Sequence, residues 1–263
     1  MAKKLGFALG SGGSRGVAHI GFLRAMEEAG IVPDFISGCS MGSVVGSCYA
    51  KGYTTHHMEQ IVKRLKFSDL FDLSLAPIQN GAILRSKKMQ KKLHQYLGKT
   101  TFAELKIPFS CVATDVIGGE LVVLNDKDAE VCSAVVASSS IPSIFKPVQM
   151  KDKLLIDGGV LCRVPVNAVK SMGADVVVAV DVLGKIRKCD KKFNVFTLMW
   201  RTFDIVDCEF TKISMREHKP DLFIEPELGD MNQYKFKDID MAIEKGYEIG
   251  KAYVDKIKQL ITE

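Results

Sequence analysis

Phe35-Ile36-Ser37-Gly38-Cys39-Ser40-Met41-Gly42-Ser43 is the stretch on which the reading of the fold turns. A short apolar run of β character ends at Gly38, small residues continue to Ser47, and Cys48-Tyr49-Ala50 suit a helix. Gly38-x-Ser40-x-Gly42 fits a sharp strand-to-helix turn, in which glycine on both flanks lets the backbone crowd around a serine forced outward. A serine held there stands at the carboxyl edge of a sheet above a helix N-terminus, a suitable place for a nucleophile.

Upstream, Leu5-Gly6-Phe7-Ala8-Leu9 is a second apolar run, followed by Gly10-Ser11-Gly12-Gly13-Ser14-Arg15-Gly16. Val17, Ile20, Gly21, Arg24 and Ala25 then recur at helical spacing up to a stop near Gly30, with Pro33 beyond. The opening therefore reads β–glycine loop–α–β–Ser40–α, a right-handed parallel βαβ unit. Such a unit puts the glycine loop and Ser40 at one sheet edge, at the strand carboxyl ends where open α/β sheets keep their sites. The loop fails as a dinucleotide fingerprint: G-x-G-x-x-G counted from Gly10 demands glycine where Arg15 stands, and no acidic residue ends the second strand. It also lacks the Gly-Lys-Ser/Thr ending of a phosphate loop. A purely structural turn remains open, but one glycine or two would serve that purpose. A longer run leaves N–H groups uncovered, which suits a developing oxyanion as well as a phosphate.

Downstream, Tyr53–Leu97 reads as helical, with Met58, Ile61, Val62 and Leu65 in one stripe. Ser86 fits an N-cap for a helix over Lys87–Leu97 with Met89, Leu93, Tyr96 and Leu97 facing inward. The connector Leu70–Ile83 has no clear period and reads as a packed loop or a cover over the site. Phe109–Thr114 and Leu121–Leu124 read as a hairpin, and Cys132–Ala137 as a short helix before the Ser/Pro block that ends at Pro147. Lys153–Ile156 is a strand running into Asp157-Gly158-Gly159, a carboxylate at a strand end or, on the blander reading, a β-turn Asp. Asp175–Val180 is a buried, parallel-type strand. Phe196, Met199, Trp200, Phe203, Val206, Phe210 and Ile213 form a helical stripe, preceded by Lys185, Arg187, Lys188, Lys191 and Lys192. A core-facing helix is the expectation for that stripe, and a lipid-surface contact is the alternative. Leu222–Ile224 is a last strand, and Ile239–Ile261 an amphipathic helix. With no repeat or linker, the reading is one domain over 1–263, with its core at about 5–261.

Composition narrows the class. A 263-residue chain that is 47% hydrophobic and 25% charged is an ordinary globular protein with a sizeable core. The net charge of +5 is mild: it helps approach to anionic lipid but does not argue for nucleic acid. Seven scattered cysteines without a C-x-x-C pair read as reduced thiols. The apolar run after Met1-Ala2-Lys3-Lys4 breaks at the glycines too soon for a signal peptide, and no stretch is apolar long enough to span a bilayer. The expectation is a cytoplasmic protein, peripheral to a membrane at most. Cysteines and histidines show no metal-ligand spacing, so no metal or other cofactor is expected.

Taken together, Gly12-Gly13-Ser14-Arg15-Gly16, Gly38-Cys39-Ser40-Met41-Gly42, the Ala137–Pro147 block and Asp157-Gly158-Gly159 resemble the patatin-like phospholipases, the bacterial branch in particular. The likeness runs from about Leu5 to the final helix. It implies a three-layer α/β/α sandwich with a mainly parallel central sheet, and serine acyl-hydrolase activity on phospholipid, lysophospholipid or other lipid esters. Ser40 would be the nucleophile, Asp157 its base in a Ser–Asp dyad, and the backbone around Gly12, Gly13, Ser14 and Arg15 the oxyanion hole. Gly10, Gly16, Gly38, Gly42, Gly158 and Gly159 would shape the three turns. Ser11 stands where the family's glycine run often begins, and Asp-Gly-Gly where some members have Asp-Gly-Ala.

Two other readings compete. Ser40, Asp157 and His218 follow the chain order of an α/β-hydrolase triad, although Ser40 comes after only two strands and His218 sits in a turn-like Arg216–Pro220 segment. A non-catalytic lipid-binding module on the same scaffold would keep the loop and pocket but need neither Ser40 nor Asp157.

Overall fold

A computed structural model describes residues 3–65, 82–84, 87–186, 193–233 and 237–263. The chain opens as the apolar periodicities predict: β1 (Leu5–Leu9), α1 (Ala18–Glu28), β2 (Phe35–Gly38) and α2 (Met41–Lys51). Next come α3 (Thr55–Arg64), β3 (Ala82–Leu84), α4 (Lys87–Leu97), β4 (Phe109–Asp115), β5 (Glu120–Leu124) and α5 (Val131–Ser138). After them follow β6 (Ser143–Phe145), β7 (Val148–Met150), β8 (Lys153–Asp157), α6 (Val166–Ser171) and β9 (Val176–Val180). The chain closes with α7 (Val195–His218), β10 (Leu222–Ile224) and α8 (Ile239–Thr262).

The central sheet runs β10-β9-β1-β2-β4, all parallel, and continues through antiparallel β8 and β7, with β5 antiparallel to β4. β1 is wholly buried because both faces are covered, as its unbroken apolar run requires. On one side Phe7 meets Phe22 of α1, ring centroids 5.2 Å apart, and α8 adds buried Ile243 and Ile257. On the other side Ala8, Val177 and Ala179 pack on Val164, Val166 and Val169 around α6. Helices on both faces give three layers.

One detail of register positions the site. β5 pairs with Cys111–Asp115 of β4, so its partners on the opposite edge must divide what remains: β2 takes Phe109–Cys111, parallel, and β8 takes Ala113–Asp115, antiparallel. Gly38 sits opposite Cys111 and Asp157 opposite Ala113. Two strands thus run toward each other along one edge of β4, and their carboxyl ends meet across Val112. The turn after Asp157 crosses so closely that a Cβ on Gly158 would lie 2.4 Å from the Val112 carbonyl oxygen.

Two expectations need correction. Tyr53–Leu97 is not helical throughout, since β3 interrupts it and pairs in parallel with β6 as a separate two-stranded sheet. A three-residue strand has no room to show a period, and its partner lies about 60 residues away. Ser86 and most of the Leu70–Ile83 connector lie outside the described residues. The second correction concerns α7: its apolar stripe faces solvent, with Phe203 51%, Phe210 53% and Ile213 55% exposed, beside exposed Val195, Leu198, Met199 and Val206. The helix is turned inside out because Asp204 and Asp207 find partners in the protein, Gln233 and Arg163, while buried Thr211 bonds back to the Asp207 carbonyl. The side chains of Phe196 and Trp200 and the basic residues at 187–192 lie outside the described residues.

Candidate active site

Ser40 occupies the junction between β2 and α2 at φ 50°, ψ −122°. A non-glycine residue on this side of the map costs about 1–3 kcal/mol and persists only where its surroundings over-determine it. Here they do. Cys39 N–H donates to the Leu9 carbonyl (3.0 Å), Gly42 N–H to the Cys39 carbonyl (2.8 Å), and Ser43 Oγ to the Ser40 carbonyl (2.6 Å). Ser40 N–H donates to Ser138 Oγ at the end of α5 (3.1 Å). The flanking glycines are required by contact: a Cβ on Gly38 would lie 2.5 Å from Ser43 Cα, and one on Gly42 2.2 Å from the Leu9 carbonyl oxygen. Gly42→Ala should therefore destabilise the protein by about 3 kcal/mol, lowering the melting temperature by roughly 10 °C in a thermal scan. A change of a degree or two would mean that the elbow is looser than these contacts indicate.

Asp157 ends β8, buried beside this turn. Its carboxylate accepts from Gly159 N–H (2.8 Å) and, at 3.8 Å, from the Cys39 thiol, and the Ser40 hydroxyl stands close enough to pull its pKa down. Burial pushes its pKa up to about 6, against the opposing pull of those hydrogen bonds. The Cys39 thiol is held well above its ordinary range, first by burial and then by the neighbouring carboxylate, so it stays a protonated donor. No histidine is among the partners of Asp157. His218 ends α7, where its carbonyl accepts from Lys170 Nζ. His19 lies beneath the glycine loop with Nε2 2.8 Å from the Gly10 carbonyl, and burial lowers its pKa to about 4, so it is a neutral prop.

The glycine loop lies against the elbow, with Gly16 packed on Met41, the first residue of α2. Its amides divide into two groups. Gly10 N–H donates to Val180 (2.9 Å), Ser11 to Arg163 (2.9 Å), Ser14 to Gln233 (2.8 Å) and Arg15 to Gly12 (3.0 Å), all at carbonyls. Gly12 and Gly13 N–H have no acceptor among the described residues. Of the four residues expected around an oxyanion, then, Ser14 and Arg15 spend their amides inside the protein, and Gly12 and Gly13 keep theirs uncommitted. Gly13 has φ +52°, and a Cβ there would meet the Gln233 carbonyl oxygen at 2.3 Å. Cys39 and Ser138 lie inside motif stretches without any residue pattern that marks a role, and Gln233 lies in none.

A cavity of about 290 Å³ opens beside Ser40. Ser14, Ser40 and Gln233 line it together with Val44, Met58 and Leu93, and its wall is almost entirely carbon. Among the described residues no group of three His, Cys, Asp or Glu side chains could hold a metal ion. Among them, too, no helix is long and apolar enough to cross a membrane.

An elbow serine, a facing strand-end aspartate and a glycine loop on a mainly parallel sheet define a patatin-like α/β fold. The chain belongs to the patatin-like phospholipase family, whose model matches residues 7–170. It is 33% identical over 183 residues to an uncharacterized NTE family protein of Mycobacterium bovis, covering 69% of this chain and 49% of that protein. It is 24% identical over 288 residues to lysophospholipase nte1 of Neurospora crassa, covering 98% of this chain and 18% of that protein. The chain thus spans half or less of the length of these curated relatives. Among solved structures, VipD from Legionella pneumophila superimposes with a TM-score of 0.60 at 14% identity, over 97% of this chain and 67% of that one. The type III effector ExoU superimposes at 0.51 and 12% identity, over 96% and 53%. These two likenesses concern the fold.

Proposed function

We propose that the chain is a serine acyl hydrolase of the phospholipase A or lysophospholipase type, cleaving lipid carboxylic esters through Ser40 and Asp157. The observation that carries the reading is a strained elbow serine beside a buried carboxylate whose pKa is raised to about 6. An ordinary Asp is too weak a base to take a serine proton, and the raised value narrows that gap. In the first half-reaction Asp157 accepts the Ser40 proton while Ser40 Oγ attacks the ester carbonyl. The resulting oxyanion is met by the uncommitted Gly12 and Gly13 N–H groups, each of the kind whose loss costs roughly 100- to 1000-fold in rate. Protonated Asp157 then gives its proton to the departing alcohol, leaving an acyl-enzyme. In the second half-reaction Asp157 takes a proton from water, which attacks the acyl carbonyl; as the bond to Ser40 Oγ breaks, Asp157 returns that proton to Ser40 and the fatty acid leaves. The carbon-lined cavity suits one acyl chain. Phospholipids, lysophospholipids and other lipid esters all present such a chain, and relatives named lysophospholipases support the choice.

Hydrolysis of a lipid extract, with products read by mass spectrometry beside the Ser40→Ala protein, tests the reading. Fluorophosphonate labelling of wild type but not Ser40→Ala separates it from a non-catalytic lipid-binding module. The dyad is preferred to a Ser40–Asp157–His218 triad because the Asp157 partners include no histidine. His218→Ala should keep turnover within about twofold of wild type, and its loss would return the triad to favour.

The outward face of α7 suits a lipid surface. Its apolar residues are exposed along the helix, and in sequence they follow Lys185, Arg187, Lys188, Lys191 and Lys192, a charge complement to anionic headgroups. Replacing Phe203 and Phe210 together by Ser should lower binding to phosphatidylglycerol vesicles by at least about tenfold, since each ring is worth about 1.5–3 kcal/mol when buried. The melting temperature should hold, because both rings are half exposed already. Unchanged binding in a sedimentation assay would remove this surface.

A further inference from the structure

The two ends of the glycine loop are held by residues whose side chains reach α7. At one end, Ser11 N–H donates to the Arg163 carbonyl (2.9 Å). The Arg163 guanidinium is pinned to the sheet by Asp181 and by the Gly184 carbonyl (3.1 Å), and it also binds Asp207 of α7 (3.0 Å). At the other end, Ser14 N–H donates to the Gln233 carbonyl (2.8 Å) and Ser14 Oγ to the Asn232 carbonyl (3.0 Å). The Gln233 side-chain amide in turn donates to Asp204 Oδ1 of α7 (3.2 Å). Gly12 and Gly13, with their uncommitted amides, lie between these two tethers. The arms differ in kind. Arg163 keeps its anchors at the end of β9 whatever α7 does, whereas Gln233 reaches Asp204 from a loop beside the cavity mouth. Asp204 and Asp207 lie about one helical turn apart and half-buried, Asp204 on the inward side of α7 and Asp207 at its border with the exposed Phe203 and Phe210.

We propose that Asp204 is a positioning residue which, through Gln233, ties the exposed helix α7 to the glycine loop, so that seating α7 on a lipid surface sets the loop for the oxyanion. Asp207 and Arg163 form the fixed pivot of the same linkage. The inference rests on the assignment of Gly12 and Gly13 as oxyanion donors and of α7 as the lipid-facing element. Physically, a helix that moves by a fraction of an ångström as its apolar face enters lipid shifts Asp204 with it. The Gln233 carbonyl follows, and with it the Ser14 amide next to Gly13. A donor pair has to meet the oxyanion at hydrogen-bond distance, so small displacements of this loop are felt in kcat.

Two measurements on the full chain test the tether. In the Ser40→Ala protein, which lacks the proposed nucleophile, non-hydrolysable diether phosphatidylglycerol vesicles should change amide hydrogen exchange across residues 10–16 by about threefold or more. Adding Asp204→Ala should abolish that response while the protein still sediments with the vesicles. In the Ser40-containing protein, Asp204→Ala should lower kcat on a soluble short-chain ester about tenfold per fluorophosphonate-labelled site, with KM within about twofold. Asp204→Asn, which keeps an acceptor for the Gln233 amide, should recover most of that loss. Gln233→Ala, which removes the amide but keeps the main-chain carbonyl, should reproduce Asp204→Ala and serves where the latter does not fold. Exchange that responds to vesicles equally with and without Asp204 would overturn the tether, as would an unchanged kcat per labelled site. If wild type neither hydrolyses esters nor labels, the enzymatic reading falls on that result, and the exchange response, which needs no turnover, still decides whether α7 and the loop are coupled.

Discussion

Ser40→Ala is expected to lower ester turnover by roughly four orders of magnitude or more, because the proposed acyl-enzyme forms on the oxygen that this change removes. Asp157 and the Gly12 and Gly13 amides would remain, so residual hydrolysis should come from water activated and polarised in place, and burst kinetics should vanish. The same site allows a control on stability. Ser40 holds φ 50°, which alanine must also adopt but glycine takes without strain. Ser40→Gly should therefore be about 1 kcal/mol more stable than Ser40→Ala while equally inactive. Turnover that survives Ser40→Ala in purified protein would move the nucleophile elsewhere.

The second large effect concerns Asp157. Asp157→Asn should cost roughly 10³- to 10⁴-fold in kcat/KM, since the amide can still accept from Gly159 N–H and Cys39 but cannot take a proton. In the proposed mechanism Asp157 serves as base only when ionised. Activity should fall about tenfold per pH unit below about 6 and level off above it. Asp207 is also pushed up to about 6 by burial, so Asp207→Asn is the control that should retain this limb. The stability consequence has the opposite sign to that of most carboxylates. The folded-state pKa is raised from 3.8 to about 6, so the native protein binds the extra proton between these values and loses stability as pH rises through them. Above pH 6 the ionised, buried Asp157 is a liability on the order of 2–3 kcal/mol. Asp157→Asn should thus be more stable than wild type at pH 8 and show little gain at pH 4, as read by denaturant unfolding. A loss of stability at pH 8 would mark Asp157 as a structural ion rather than a base kept at a cost for catalysis.

Much of this was legible in the chain. Leu5–Leu9 and Phe35–Ser37 announce buried parallel strands because residues covered on both faces are apolar without alternation. Ser40 is marked by glycines whose absent side chains let three backbone segments touch. Asp157 is marked by its place at the end of an apolar run. Short-range rules sufficed for each of these, because local sterics and burial are properties of a few neighbouring residues. The α7 stripe shows where such rules fail. A 3.6-residue period reports that one side of a helix is apolar, but not which side the rest of the protein covers. Arg163 and Gln233 chose the polar side by offering partners to Asp207 and Asp204.

The sequence alone determined the opening βαβ unit, the elbow at Ser40, the run of glycine amides and a strand-end carboxylate at 157. Only the tertiary structure decided that Asp157 faces Ser40 across 117 residues of chain, because β2 and β8 divide one edge of β4 and run head-on into Val112. It also decided which amides remain uncommitted, since Ser14 gives its own to a carbonyl more than 200 residues away. Strand register and long-range hydrogen bonds are settled by competition among distant partners for the same edge and the same donors, and no local pattern records the outcome.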